Sequence, residues 1–338
     1  MSNSFVYLTE ADVVSLVDLS DTIDALEAML PAQAKGDTVD IPKALGTFDA
    51  GASALHALGS AFPAGSVGGF KTWINTPRGA VAVMTLFDTA EGRLLGVLEA
   101  GALGQLRTAA ISGLATRWLA APDADDMALI GTGRQALAQL ASVAAVRKLR
   151  RVRVWSPSAD SRDAFVRDAA ASFPFRLEAS GTLDAAVEGA AIVTLVTRAR
   201  QPFLHAASLG PDVHLNAVGA ILPGNAEFFP DVFDRASRLV VDSLPGVQAN
   251  SREFVDRFGA ENGEGWRQVE TLGRVIAEGP RPRPPGLTLF KAMGMGVSDL
   301  AVARLAVERA RQASRGTTLP APRRAALRWV GEPAAAAE

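Results

Sequence analysis

The chain of 338 residues contains no cysteine. Disulfides, zinc–thiolate sites and cysteine nucleophiles are therefore excluded. Charge of one sign is not in excess either. Lysine and arginine number 34 and aspartate and glutamate 36, a formal net charge of −2. That balance offers no basic footprint, so no nucleic-acid partner is expected. Histidine occurs three times, as His56, His205 and His214, at spacings that suit no metal motif. No metal site is expected. Long apolar runs are missing, and the start, Met-Ser-Asn-Ser-Phe-Val-Tyr, has neither a basic segment nor an apolar one of leader length. The expectation is a cytoplasmic protein with no membrane partner. No internal repeat is visible. What is present is ordinary: 48% hydrophobic and 21% charged residues, in a chain long enough for two domains with buried cores.

One stretch organises the rest. Met127-Ala-Leu-Ile130 is an apolar strand that ends in Gly131-Thr132-Gly133. An Ala/Leu-rich run at helical spacing follows, from Arg134 to Arg147. This is strand, glycine turn, helix. Gly131 makes the bend, Gly133 lets backbone approach a phosphate, and Ala136 is small enough for helix and strand to pack closely. The uncompensated N–H groups at such a helix start attract a pyrophosphate. The alternative is a tight turn without a ligand.

Before that turn, a helix is predicted from about Thr22 to Ala34, capped by Ser20-Asp21, after a short apolar piece from Asp12 to Leu19. Leu55–Phe62, Gly68–Asn75, Val81–Asp88 and Leu94–Glu99 read as strands, with a hairpin turn at Asp88-Thr-Ala-Glu-Gly92. Leu103 to Ala120 reads as a helix of small residues. After the glycine turn, strands (Val152–Trp155, Ile192–Val196, Val213–Ala217, Arg238–Val241) alternate with helices (Ser161–Ala171, Leu183–Glu188). The fold class is thus α/β: a Rossmann-type, doubly wound parallel sheet preceded by a β-rich module. Gly279 to Gly286 is a stiff proline-rich connector, and a final helix from about Leu300 to Ala313 is capped by Ser298 or Asp299. The tail from 331 to 338 is expected to be disordered.

Ligands bind outside the carboxyl ends of such parallel strands. Those ends hold Gly131, Thr132, Gly133, Arg134 and Gln135, then Ser156 and Ser158, Thr197, and Val218-Gly219. An acid at position 156 would bind the ribose of NAD. Ser156 stands there instead, with Ser158, Arg153 and Arg162 nearby, which leans to NADP over NAD. Lys71 lies within an otherwise apolar strand. It is either a solvated outer residue or an inner one, and an inner lysine with a lowered pKa can handle protons. Arg107, in a crowded helix, suits bidentate carboxylate binding or a structural ion pair. His56 falls on a strand where it lines a pocket or simply packs; His214 is read as core or edge and His205 as a loop residue.

Several of these pieces together resemble the ornithine cyclodeaminase/μ-crystallin family. They are Gly69-Phe-Lys-Thr, Leu106-Arg-Thr-Ala-Ala, Gly131-Thr-Gly-Arg-Gln-Ala, Val193-Thr-Leu-Val-Thr, His214-Leu-Asn-Ala-Val-Gly-Ala and Leu289-Phe-Lys-Ala-Met-Gly…Ser298-Asp-Leu. The resemblance runs from roughly Asp21 to Arg311. It implies a nucleotide domain (119–296) and a substrate and dimerisation domain (1–118, completed by 297–330), assembled as a homodimer. It implies an NAD(P)-dependent enzyme that moves a hydride at the α-carbon of an amino or imino acid. Lys71 would then act near the reacting carbon, and Arg107 would hold the substrate carboxylate. Lys43 stands where the family often has an arginine as a second carboxylate ligand, and loses the fork. Ile221 replaces an Asp that cyclodeaminases carry two residues past the glycine of Asn-Ala-Val-Gly. Ornithine cyclisation is then less expected than reduction of a cyclic imine, and a non-catalytic binding role is the remaining alternative.

Overall fold

The computed structural model describes residues 4–259, 263–327 and 329; the tail at 331–338 lies outside them. The chain starts with β1 (Ser4–Leu8), α1 (Glu10–Leu16) and α2 (Leu19–Ala34). The hairpin strands follow: β2 (Val39–Phe48), β3 (Ser53–Phe62), β4 (Val67–Thr76), β5 (Gly79–Asp88) and β6 (Arg93–Glu99). Helix α3 (Gly101–Leu119) leads to β7 (Asp126–Ile130), α4 (Ala136–Ala144), β8 (Arg151–Trp155), α5 (Ala159–Ala170), β9 (Arg176–Ala179), α6 (Leu183–Val187) and β10 (Ile192–Leu195). Next come β11 (Val213–Ala217), α7 (Asp231–Arg235), β12 (Ala236–Val241), α8 (Leu244–Asn250), α9 (Arg252–Phe258), β13 (Val269–Thr271), α10 (Leu272–Ala277) and β14 (Leu287–Lys291). The last described elements are α11 (Gly296–Gln312) and β15 (Thr317–Pro320).

Two sheets result. The first has the order β15-β1-β6-β5-β4-β3-β2, antiparallel except for β1 beside β6. The second has the order β13-β12-β14-β11-β10-β7-β8-β9 and every pair in it is parallel. The order reverses between β7 and β10, the switch point where α/β sheets bind ligands. The fold is therefore the expected α/β arrangement: a Rossmann-type parallel sheet and a mixed sheet module.

Some local expectations need correction. The piece from Asp12 to Leu19 is mostly helix, because Thr9 and Asp12 form a capping box that starts α1. Helix α2 begins at Leu19 rather than Thr22, capped by Asp18 with Asp21 as its reciprocal partner. Helix α4 begins at Ala136, two residues later than read. Helix α11 begins at Gly296 with Met295 as N-cap, so neither Ser298 nor Asp299 caps it. Six strands, β1, β2, β9, β13, β14 and β15, have no counterpart in the sequence reading, and β2 and β14 show why. β2 shows no buried face, and hence no alternation to find. β14 is buried at all five positions, Thr288 and Lys291 included, so it too shows no alternation of exposed and buried faces.

Helix α3 joins the two sheets. Its small residues let α4 approach: a Cβ on Gly113 would fall 2.2 Å from the Ser142 hydroxyl. Ser142 donates to the Ala109 carbonyl (2.7 Å) and Gln139 to that of Thr108 (3.0 Å). At the far end, Arg147 donates to the carbonyls of Thr116 and Ala120 in the last turn of the helix. His214 is core: its ring nitrogens meet Thr288 (2.9 Å) and Asn216 (3.1 Å), and burial pushes its pKa down to about 3, so it stays neutral.

The N-terminus of α11 rests on the first sheet, where a Cβ on Gly296 would lie 2.1 Å from the Gly59 carbonyl. Gly296→Ala is expected to lower unfolding stability by about 2 kcal/mol, the usual cost of overpacking against backbone. Urea unfolding measures it, and an unchanged midpoint would mean that this end of α11 shifts freely.

Candidate functional site

Alternation along β4 settles which way Lys71 points. Phe70 is 36% exposed and Lys71 only 4%, so the lysine faces inward. A buried ammonium needs a partner. Lys71 donates to Oδ1 of Asp299 at 2.6 Å, and its Nζ lies 5.1 Å from the centre of the Trp73 ring. Burial, and then the nearby charge of Arg107, lower its pKa to about 8, with Asp299 pulling the other way.

Arg107 reaches the same carboxylate oxygen from α3, Nε to Oδ1 at 3.1 Å. Both sequence readings of this residue are thus physically compatible. One nitrogen makes an ion pair, and the two terminal nitrogens have no hydrogen-bond partner among the described residues. A guanidinium held by Nε with an open fork is arranged for a carboxylate. Behind it, Gly294 (φ +87°) passes so close that a Cβ would meet Arg107 at 3.0 Å. That turn is pinned by Asp242, whose buried carboxylate accepts from the Met293 and Gly294 amides (2.9 and 2.7 Å). Burial raises the Asp242 pKa against those hydrogen bonds.

Lys43 sits on the irregularity of β2 between Ile41 and Ala44. Its amine is crowded by protein and repelled by Arg107, and both lower its pKa. His56, on β3, stacks on Trp73 with ring centres 4.5 Å apart. Desolvation, then the Lys43 charge, lower its pKa, so it is neutral at pH 7. Ile221 follows β11 on a loop and is 39% exposed. Lys43, His56, Lys71 and Arg107 therefore form one cluster, with Asp299 at its base.

Asp299 was missed as a site residue. From sequence, an acid at a helix start reads as a cap; here its side chain is drawn instead to two cations from distant elements. The available signal was that an inner Lys71 requires an acid somewhere. Trp73, two residues along the same face as Lys71, was equally available by alternation.

At the switch point, Gly131 adopts φ +115°, and a Cβ there would lie 2.8 Å from the Val196 carbonyl. Only glycine fits this turn. A Cβ on Gly133 would meet nothing within 4 Å, which leaves open space above it. Gln135 precedes α4 without a side-chain cap; the Ala136 amide donates to the Gly133 carbonyl (2.9 Å), no side chain occupies the other amides of the first turn, and Arg134 is exposed beside them. Thr132 donates to Ser156 (3.3 Å), Ser158 caps α5 through the Ser161 amide, and Arg162 donates to the Ser156 carbonyl. Arg153 is not free for a phosphate: it is buried and spent on Asp126 (2.7 Å) and on carbonyls of 185 and 188. Thr197 and Gly219 come together at the ends of β10 and β11, both donating to the buried Glu227. Val218 lies between β11 and Gly219, nearly buried. An open glycine cradle, an uncapped helix start and hydroxyls at the next strand end suit a dinucleotide.

Among the described residues, no group of three or more His, Asp or Glu is placed to hold a metal ion, and no helix is long and apolar enough to cross a membrane.

The chain is similar to several known proteins. Ketimine reductase mu-crystallin of Rattus norvegicus is 30% identical over 224 residues, 66% of this chain and 68% of its own length. A Delta(1)-pyrroline-2-carboxylate reductase of Bacillus cereus is 29% identical over 237 residues, 68% of this chain and 70% of its own. The solved structure of an archaeal alanine dehydrogenase dimer with bound NAD superposes with a TM-score of 0.84 at 25% identity, covering 94% of this chain and 99% of that one. The model of the ornithine cyclodeaminase/mu-crystallin family matches residues 4–314, and the chain belongs to that family.

Proposed function

We propose that this protein is a nicotinamide-dependent reductase of a cyclic imine carboxylate, of the pyrroline- or piperideine-2-carboxylate type. The observation that carries the reading is the pairing of an open Arg107 fork with a buried Lys71 across one oxygen of Asp299. Arg107 clamps the carboxylate, which fixes the adjacent C=N carbon. Lys71 sits where it can keep the imine nitrogen protonated, which makes that carbon electrophilic. The cofactor, when bound, supplies the hydride. Gly131–Gln135, Thr197 and Val218-Gly219 would hold it. Ser156, Ser158 and Arg162 favour NADPH, since no acid at position 156 repels a 2′-phosphate. The pyrroline-2-carboxylate reductase and ketimine reductase names among the relatives support the reaction class.

Charge argues against ornithine. The acids beside these cations are Asp299, paired with Lys71 and Arg107, and Asp242, buried under the 293–294 turn. Both oxygens of Asp242 accept from amides, Oδ2 of Asp299 has no hydrogen-bond partner but is buried at the base of the cluster, and Ile221 cannot receive a side-chain ammonium. Lys43 adds a second cation for the carboxylate, and neutral His56 closes the wall. In this reading 1–118 with 297–330 is the substrate half and 119–296 the cofactor half.

The test is consumption of NADPH or NADH with pyrroline-2-carboxylate, followed in the reduced-nicotinamide absorbance band. Turnover supports the reading, and the faster cofactor decides the Ser156 question. Ammonia release from ornithine, without net cofactor change, would replace it with cyclodeamination. Nucleotide binding with no turnover of any imino or amino acid would leave a binding protein.

The same reading includes a homodimer. The outer face of the first sheet exposes Val39, Phe48, Leu55 and Val81, each more than two-fifths accessible. A contiguous apolar face of this kind is usually an interface. Sedimentation at twice the 35.3 kDa chain mass is expected; a monomer at micromolar concentration would refute it.

A further inference from the structure

Glu227 lies between β11 and α7, outside any regular element, and is fully buried. Burial raises its pKa, opposed by Lys291 and by the amides that surround it. Its two oxygens are used separately. Oε1 accepts from the amide (2.7 Å) and hydroxyl (2.8 Å) of Thr197, in the loop after β10. Oε2 accepts from the amides of Gly219 (3.0 Å) and Ala220 (3.1 Å), in the loop after β11. The two loops also touch directly: a Cβ on Gly219 would fall 2.2 Å from the Thr197 backbone. The carboxylate is itself fixed from behind. The Glu227 amide donates to Glu253 (3.0 Å), and Glu253 pairs with the fully buried Lys291 at the end of β14 (3.3 Å).

We propose that Glu227 is a positioning residue for the cofactor, each oxygen holding one of the two loops that flank the nicotinamide half of the nucleotide. This rests on the reading of Thr197 and Gly219 as cofactor-facing residues. Without Glu227, four donors would be left buried at the switch point, and the two loops would lose the carboxylate that bonds to both. The role requires a carboxylate. A glutamine has one acceptor oxygen, and its NH2 group would face N–H donors on the other loop. Glu227 touches neither cofactor nor substrate in this scheme; it acts through Thr197, Gly219 and Ala220.

The experiment compares wild type and Glu227→Gln without any substrate. Dissociation constants for NADH and NADPH are measured by calorimetry. Amide hydrogen exchange is followed by mass spectrometry in peptides covering 195–200 and 217–222. Thermal midpoints are recorded alongside. In Glu227→Gln, nucleotide affinity is expected to fall by about tenfold or more, with faster exchange in both peptides of the nucleotide-free protein. Unchanged affinity despite faster exchange, or unchanged exchange, overturns the proposal. If Glu227→Gln does not fold, Thr197→Val removes one donor of the four and should weaken nucleotide binding by about threefold; no change overturns the proposal equally. If wild type binds neither nucleotide, the cofactor reading itself has failed. That result is seen in the wild type alone and cannot be confused with a defect of the variant.

Discussion

Arg107→Ala should reduce kcat/KM for a cyclic imine carboxylate by at least about a hundredfold, with most of the loss in KM. A charge-assisted bidentate contact is worth about 1.5–3 kcal/mol per hydrogen bond, and losing the clamp also loses the alignment of the reacting carbon. Arg107→Lys should recover little of this, because an ammonium at that reach cannot both pair with Asp299 and fork around a carboxylate. The fold should tolerate both changes, since Asp299 keeps Lys71 and the α3–α4 contact at Gly113 lies elsewhere on the helix. Steady-state kinetics at varied substrate check the split. A KM within a factor of about two of wild type would show that Arg107 is only the structural partner of Asp299.

The second large effect concerns Lys71. Lys71→Met should abolish reduction by about 10²–10⁴-fold while leaving nucleotide affinity intact, the range lost with a general acid. In the wild type the protonated lysine is the useful form. Reductive kcat/KM should therefore fall as pH rises through about 8, and oxidation of the cyclic amino acid should gain over the same interval. The neighbours give this assignment a sign. Asp299 raises the Lys71 pKa and Arg107 lowers it. Asp299→Asn should therefore move the basic limb to lower pH, and Arg107→Ala should move it to higher pH. A limb that stays in place in both variants, or that shifts the same way in both, would assign it to another group.

Much of this arrangement was legible in the chain because it depends on local chemistry. Gly131 marks a turn that a side chain would block, Gly133 leaves open space beside it, and Gly92 (φ +64°) marks the hairpin after Asp88. Lys71 stood out because an ammonium in an apolar strand demands an account. What could not be read was set by distance along the chain. Asp299 lies 228 residues from Lys71 and 192 from Arg107, and locally it obeys the rule for a helix cap. Glu227 sits among apolar neighbours in Ala226-Glu-Phe228, where nothing suggests that its donors come from two strand ends. Arg153 misled for the opposite reason. It stands close in sequence to the serines at the end of β8, yet its side chain turns back to Asp126 at the start of β7. Proximity in sequence fixes where a residue is attached, and an extended strand then decides which face it serves.

The ion pair between Lys71 and Asp299 carries a consequence for the order of events during synthesis. The strand that buries the lysine is complete within the first hundred residues, but its counter-ion belongs to α11, near the other end of the chain. The strand that borders β1 on the outer side, β15, comes later still. Until α11 has left the ribosome, the first sheet has an ammonium on its inner face without Asp299 to meet it and an apolar surface without the helix that covers most of its strands. The cofactor sheet, from β7 to β14, has all its strands by Lys291 and can settle first. The half that is made first is thus the half that finishes last, and the reacting centre comes into being only when the end of the chain folds back onto its beginning.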